Sequence, residues 1–242
     1  MAIKETIYND LVYQISYEII NQDKQEEIIF LHGWGSNKEI MKNAFSKHLS
    51  EYRQIYIDLP GFGNSSITRA ITTQEYAKII NTFLDSINSQ KKIIFGHSFG
   101  GKVATLLNPE ILVLLSSAGI LNKKPLKTKA KILTYKLLKP IAARSLYKYF
   151  ATKDVNGMSQ VMYETLKNVV DENFEKIFAD FEGKGLVYWG RDDTAVPLWN
   201  GEKIANLIKD SKFRVYYGDH FFFLKDCRQI CDDFRKDLEK RI

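Results

Sequence analysis

Four short apolar runs, separated by helix-like stretches, constrain the fold of this chain more than any other feature. They are Ile28 to Leu31, Ile55 to Ile57, Lys92 to Phe95 and Ile111 to Leu115. A strand with one wet face alternates polar and apolar residues. A strand without that alternation is covered on both faces, as in a parallel sheet between two helix layers. Helical patterns run roughly over Lys38 to Ser50, Thr73 to Asn88 and Phe99 to Leu107. Leu11 to Ile19 does alternate, which predicts an antiparallel edge of the same sheet. The class is α/β, with a mostly parallel central sheet and helices on both faces.

After Ser117 the rhythm breaks. Residues 120–182 contain no convincing strand and read as several helices broken at Pro125, Pro140 and Gly157. Alternation resumes with a strand over Gly185 to Trp189, a helix over Gly201 to Lys209, a strand over Phe213 to Tyr217 and a final helix to Ile242. The expected organisation is a core of residues 1–119 and 183–242 interrupted by a helical insert at 120–182. The insert carries an unusual charge. From Ile120 to Lys153 there are ten basic residues and no acidic one, so a chain of net charge +6 is −4 elsewhere.

At 242 residues, 45% hydrophobic and 26% charged, the chain suits one globular domain with an insertion. No window approaches the roughly 18 unbroken apolar residues of a membrane span. Lys4, Glu5, Asn9 and Asp10 stand where a signal peptide needs an apolar run, so a cytoplasmic location is expected. Cys227 and Cys231 are the two cysteines, and their spacing matches no redox motif, which predicts reduced thiols on a C-terminal helix. Neither a metal-ligand cluster nor a phosphate or dinucleotide glycine fingerprint is present, so no metal and no cofactor is expected. Nucleic acid is a poor partner, because the positive charge sits on one insert without a recognised binding motif.

Gly96-His97-Ser98-Phe99-Gly100-Gly101 directly follows the Lys92 to Phe95 strand and precedes the helix-like Lys102 to Leu106. G-x-S-x-G between strand and helix is a nucleophile elbow. The sharp turn lifts the serine hydroxyl above the sheet, and the helix N-terminus favours negative charge there. Ser98 is the expected nucleophile.

Together with this motif, His32 to Gly35 (HGWG) and Asp58 to Ser65 (DLPGFGNS) resemble α/β-hydrolase-fold enzymes in sequence and in order. HGWG with DLPGFG is particularly similar to the pimeloyl-carrier-protein methyl ester carboxylesterases. More distantly the chain resembles the hydrolases that split carbon–carbon bonds in meta-cleavage products. The resemblance implies that the 120–182 insert is a helical lid and that His32 has a structural role. Gly101 to Glu110 leaves less room for the helix after the elbow than that family usually has.

A serine hydroxyl needs a base within hydrogen-bond reach. His97 adjoins Ser98, so its side chain points away from the elbow, and His48 lies in a polar helical pattern. His220 follows the last strand, on a loop at the end where sheet ligands bind, and is the expected base. The acid should lie between serine and histidine in chain order, where Asp192 and Asp193 both qualify. The family pattern G-x-x-D-x-x-x-P, met here from Gly190 to Pro197, selects Asp193. One oxyanion N–H is expected from Phe99, the residue after the nucleophile. The resemblance assigns the second to Trp34.

These residues predict a serine hydrolase that cleaves carboxylic esters or thioesters through an acyl-enzyme. The substrate is then a small ester, and an acidic carrier protein is a partner that the basic insert would suit. The rival reaction is carbon–carbon hydrolysis of 2-hydroxy-6-oxo-dienoate compounds by the same triad. Those enzymes usually place Trp directly after the catalytic histidine, where this chain has Phe221. A non-catalytic binding protein that keeps the fold is the third reading.

Overall fold

The computed structural model describes residues 1–121 and 158–239. Their strands form one eight-stranded sheet: β1 (Ala2–Tyr8), β2 (Leu11–Ile20), β3 (Glu27–Leu31), β4 (Arg53–Ile57), β5 (Ile93–His97), β6 (Ile111–Leu115), β7 (Lys184–Gly190) and β8 (Asp210–Tyr216). The spatial order is β1-β2-β4-β3-β5-β6-β7-β8. The first two pairings are antiparallel and all the others parallel. Helices α1 (Lys38–Phe45), α2 (Thr73–Ser86), α3 (Phe99–Leu106), α4 (Gln160–Val169), α5 (Glu175–Ala179), α6 (Leu198–Leu207) and α7 (Cys227–Glu239) complete the described chain.

The period of two along each strand explains why the central runs carry no polar alternation. Ile29, Leu31, Ile55, Ile94, Leu112, Leu114 and Trp189 face α2, α3 and α6 on one side. Ile28, Phe30, Tyr56, Phe95, Val113 and Tyr188 face α1 and α7 on the other. With both faces dry, shape takes over from polarity. The second layer is aromatic, with Phe30 stacked on Tyr56 at 4.6 Å and on Phe45 at 5.3 Å. Each such buried ring contributes about 1.5–3 kcal/mol by transfer from water.

Local signals fix several boundaries. Thr72 caps α2 in a reciprocal capping box with Glu75. The helix predicted to reach Ser50 stops at Phe45, and turns closed by His48 N–H to Phe45 O and Tyr52 N–H to Leu49 O follow. The helix predicted from Gly201 begins at Leu198, directly after Pro197, a residue suited to a helix start. β1 was hidden by Lys4 and Glu5 and is added to the edge by pairing with β2. Both cysteines are free on α7, Cys231 buried.

Of the predicted insert, residues 122–157 lie outside the described residues. Residues 158–182 contain α4 and α5 and no strand. Phe174 and Phe178 join the core that contains α2 and α3. Helix α3 is tied to this segment by Lys102, which is buried. Its Nζ donates to Val169 O at 2.6 Å and pairs with Glu172 at 2.5 Å.

Candidate active site

Ser98 stands between β5 and α3 with φ 51° and ψ −115°, a backbone conformation that a residue with a side chain rarely adopts. Its neighbours hold it there. Ser98 N–H donates to Leu115 O at 3.1 Å, and Ser98 O accepts from Gly101 N–H and Ala118 N–H at 3.0 and 3.1 Å. The flanking glycines are required by crowding. A Cβ on Gly96 would lie 2.6 Å from Gly100 O, and one on Gly100 would lie 2.5 Å from the main-chain oxygens of Leu31 and His32. Strain held by a surrounding structure is a mark of functional positions.

Asp193 follows β7 and His220 follows β8, both at the C-terminal end of the parallel strands, as Ser98 is. His220 Nδ1 lies 2.7 Å from Asp193 Oδ2. The other carboxylate oxygen, Oδ1, accepts from Ala195 N–H at 2.9 Å and Val196 N–H at 2.8 Å. Burial pushes the Asp193 pKa up, but the bonds from His220 and Val196 outweigh it and hold the carboxyl below its ordinary range. Asp192, the other carboxylate considered, is exposed. No hydrogen bond joins the Ser98 hydroxyl to the His220 ring in this structure. The two are linked through His97, next to Ser98, whose ring lies 4.7 Å from that of His220.

Trp34, on the turn after β3, and Phe99, the first residue of α3, are neighbours with ring centroids 5.5 Å apart. Trp34 is held by Phe62 at 4.9 Å, edge to face. Phe62 belongs to the Asp58 to Ser65 loop, which is built on a buried carboxylate. Asp58 accepts from Lys38 N–H at 2.7 Å, Lys38 Nζ at 2.8 Å and Asn64 N–H at 3.0 Å. His32 bridges the two loops. Its Nδ1 faces Gly33 O at 2.8 Å, and its Nε2 accepts from Leu59 N–H at 3.0 Å. That pattern fits the neutral ring, and burial pushes its pKa down to about 4.

Sequence reasoning missed the Lys38–Asp58 pair, although Asp58 opens one quoted motif and Lys38 closely follows another. It placed the His97 side chain away from the elbow and assigned it nothing. The His97 ring, unassigned there, reaches the main chain of His220. His48 lies half-buried beyond α1, away from these groups. A hollow lined by Tyr8, Gln74, Lys78 and Leu107 lies at the far end of α3 from Ser98.

A family model described as "alpha/beta hydrolase fold" matches residues 27–109, which include HGWG, DLPGFG and the elbow. An esterase from Exiguobacterium antarcticum superposes with a TM-score of 0.76 at 20% identity, over 98% of this chain and 99% of that one. This chain has the α/β-hydrolase fold. Sequence relatives of this α/β-hydrolase-fold chain include hydrolases of two kinds. A 2-hydroxy-6-oxononadienedioate/2-hydroxy-6-oxononatrienedioate hydrolase of Pseudomonas putida is 25% identical over 244 residues, covering 86% of this chain and 85% of that protein. A pimeloyl-[acyl-carrier protein] methyl ester esterase of Shewanella woodyi is 39% identical over 80 residues, covering 33% of this chain and only 29% of that protein. Among the described residues no helix of the α/β-hydrolase-fold chain is long and apolar enough to cross a membrane.

Proposed function

We propose that the chain is a serine hydrolase that cleaves carboxylic esters or thioesters through an acyl-enzyme. The observation that carries this reading is the strained Ser98 backbone, one residue from a ring packed against His220, which is itself bonded to Asp193. His220 takes the hydroxyl proton as Ser98 Oγ attacks the carbonyl carbon. The oxyanion forms against the N–H groups of Phe99 and Trp34, and His220 returns the proton to the leaving alcohol. Water, activated by His220, then releases the acid. Asp193 keeps the imidazole proton on Nδ1, which leaves Nε2 free to accept, and stabilises the imidazolium. The unbonded Ser98–His220 pair is compatible with this role, because catalytic hydrogen bonds often tighten only once substrate is bound.

Carbon–carbon hydrolysis is the second reading, favoured by the length over which the Pseudomonas hydrolase aligns. Phe221, where a Trp is usual after the base of such enzymes, speaks for the ester. The ten basic residues between Ile120 and Lys153 make an acidic carrier protein the fitting bearer of the acyl group.

A panel of free esters, the same acyl groups on a carrier protein, and a dienoic ring-cleavage product separates these readings. Preference for carrier-bound esters, weakened by neutralising the insert lysines, supports the carrier. Turnover of the ring-cleavage product alone replaces the ester reading. In either case Ser98→Ala removes on the order of 10⁶ of kcat, and undiminished turnover contradicts the assignment of the nucleophile.

A further inference from the structure

We propose that His97 is a positioning residue, whose Nε2–H holds the main-chain carbonyl of His220 and so fixes the base beside the elbow. The proposal rests on the reading of Ser98 and His220 given above.

His97 Nε2 lies 3.0 Å from His220 O, and a carbonyl can only accept, so the proton is on Nε2. The ring is 1% exposed and packs against His220, Phe221 and Phe223 at 4.7, 5.2 and 4.8 Å. The other nitrogen, Nδ1, is buried without a partner. Gly33 closes on it so tightly that a Cβ there would stand 2.8 Å away. A position needed only for packing is better served by an apolar ring, which leaves no orphan nitrogen. What histidine adds here is one donor, aimed at the backbone of the residue that carries the proton.

The placement answers a specific need. His220 sits two residues past Gly218, a turn at φ 130°, on a loop whose other bonds fall on its neighbours, at Gly218 O, Asp219 O and Asp219 Oδ1. Its ring is tethered at Nδ1 by Asp193, but one tether leaves the imidazole free to swing about that bond. A second tether on its own carbonyl, from the residue preceding the nucleophile, references the base directly to Ser98. Three groups surround the His97 ring electrostatically: His220, Asp193 and His32. Burial first, then repulsion by His220, hold the His97 pKa down to about 3. His97 thus stays an uncharged donor while His220 carries the proton in the proposed cycle.

Fluorophosphonate labelling and ester hydrolysis of wild type, His97→Phe, His97→Gln and Ser98→Ala test this. Loss of the second tether lowers labelling and kcat of His97→Phe by about 10²-fold at unchanged KM, the size expected for roughly 1 Å of misplacement. The amide of His97→Gln reaches the place of Nε2 and restores most of that loss. Wild-type labelling rates in His97→Phe overturn the proposal while leaving the nucleophile assignment intact. Wild type that does not label, or Ser98→Ala that still does, overturns both. Nitrogen-15 spectra of the unaltered protein decide the matter even where a variant fails to fold. A neutral His97 ring with its proton on Nε2 between about pH 5 and 8 is expected. A proton on Nδ1, or titration within that range, overturns the proposal.

Discussion

Two buried aspartates near the last strands of the sheet show how the same side chain serves different ends. Asp237 on α7 accepts from Arg214 Nε and Nη2 at 2.8 and 2.7 Å, from the Tyr188 hydroxyl at 3.0 Å and from Lys212 Nζ at 3.3 Å. Asp193 accepts from His220 and two main-chain N–H groups. Both carboxyls are held below their ordinary pKa against the opposing pull of burial. The difference lies in the partner. Arg214 is held charged by its bonds to Asp237, so Asp237 is locked. The partner of Asp193 is an imidazole, whose ring nitrogens can both donate and accept a proton. A carboxylate clamped by fixed charges is structural, and one facing a group that gains and loses a proton is available for chemistry.

The comparison breaks most visibly at Asp193. Asp193→Asn removes the acceptor that sets the His220 tautomer and costs about 10⁴ in kcat with little change in unfolding midpoint. Asp192→Asn leaves ester hydrolysis unchanged, since that side chain is exposed. Equal losses in the two variants would erase the distinction drawn here. Asp237→Ala has the opposite profile. It leaves Arg214 with the longer pair to Asp233 at 3.7 Å and destabilises the fold by about 3 kcal/mol, the low end for a broken buried pair because the Arg214 side chain is 34% exposed. The protein that remains folded retains its kcat, and denaturant titration beside active-site labelling checks both halves.

A smaller effect concerns pH. His32 and His97 are neutral in the folded chain down to about 4 and about 3. In the unfolded chain each protonates below about 6.5. Between those limits the unfolded state binds more protons, so stability falls as pH drops, by up to about 1.4 kcal/mol per pH unit for each ring. Asp193 and Asp237 add their own losses only at lower pH, through the carboxylate range. Unfolding titrations between pH 5 and 6, in the wild type and in His97→Gln, should therefore differ in slope by nearly one proton. Parallel slopes would mean that His97 is not held neutral.

Much of the fold was legible because it is written in short-range pattern. Unalternating runs announce strands covered on both sides, and Ile29 and Phe30 do face opposite helix layers. The elbow was legible for the same reason, since its glycines are demanded by contacts within five residues and by the adjacent strand. β1 was not, because its pattern runs against its burial: Ile3 and Ile7 are exposed, whereas Lys4 and the buried Thr6 lie on the other side. The choice of Asp193 over Asp192 came from spacing in a known pattern, and neighbouring carboxylates differ in burial only once the chain is folded. His97, Lys102 and the Lys38–Asp58 pair were illegible for a different reason. Each acts on a partner 20 or more residues away, two of them on main-chain oxygens, and a backbone acceptor has no signature in the sequence.

Identification of the residue that becomes covalently modified tests the central claim most directly. After brief exposure to a fluorophosphonate, proteolysis and mass spectrometry should find one adduct, on the peptide that contains Ser98, and none in His220→Ala under the same conditions. An adduct on any other residue, or an unmodified Ser98 in fully folded protein, would contradict the account.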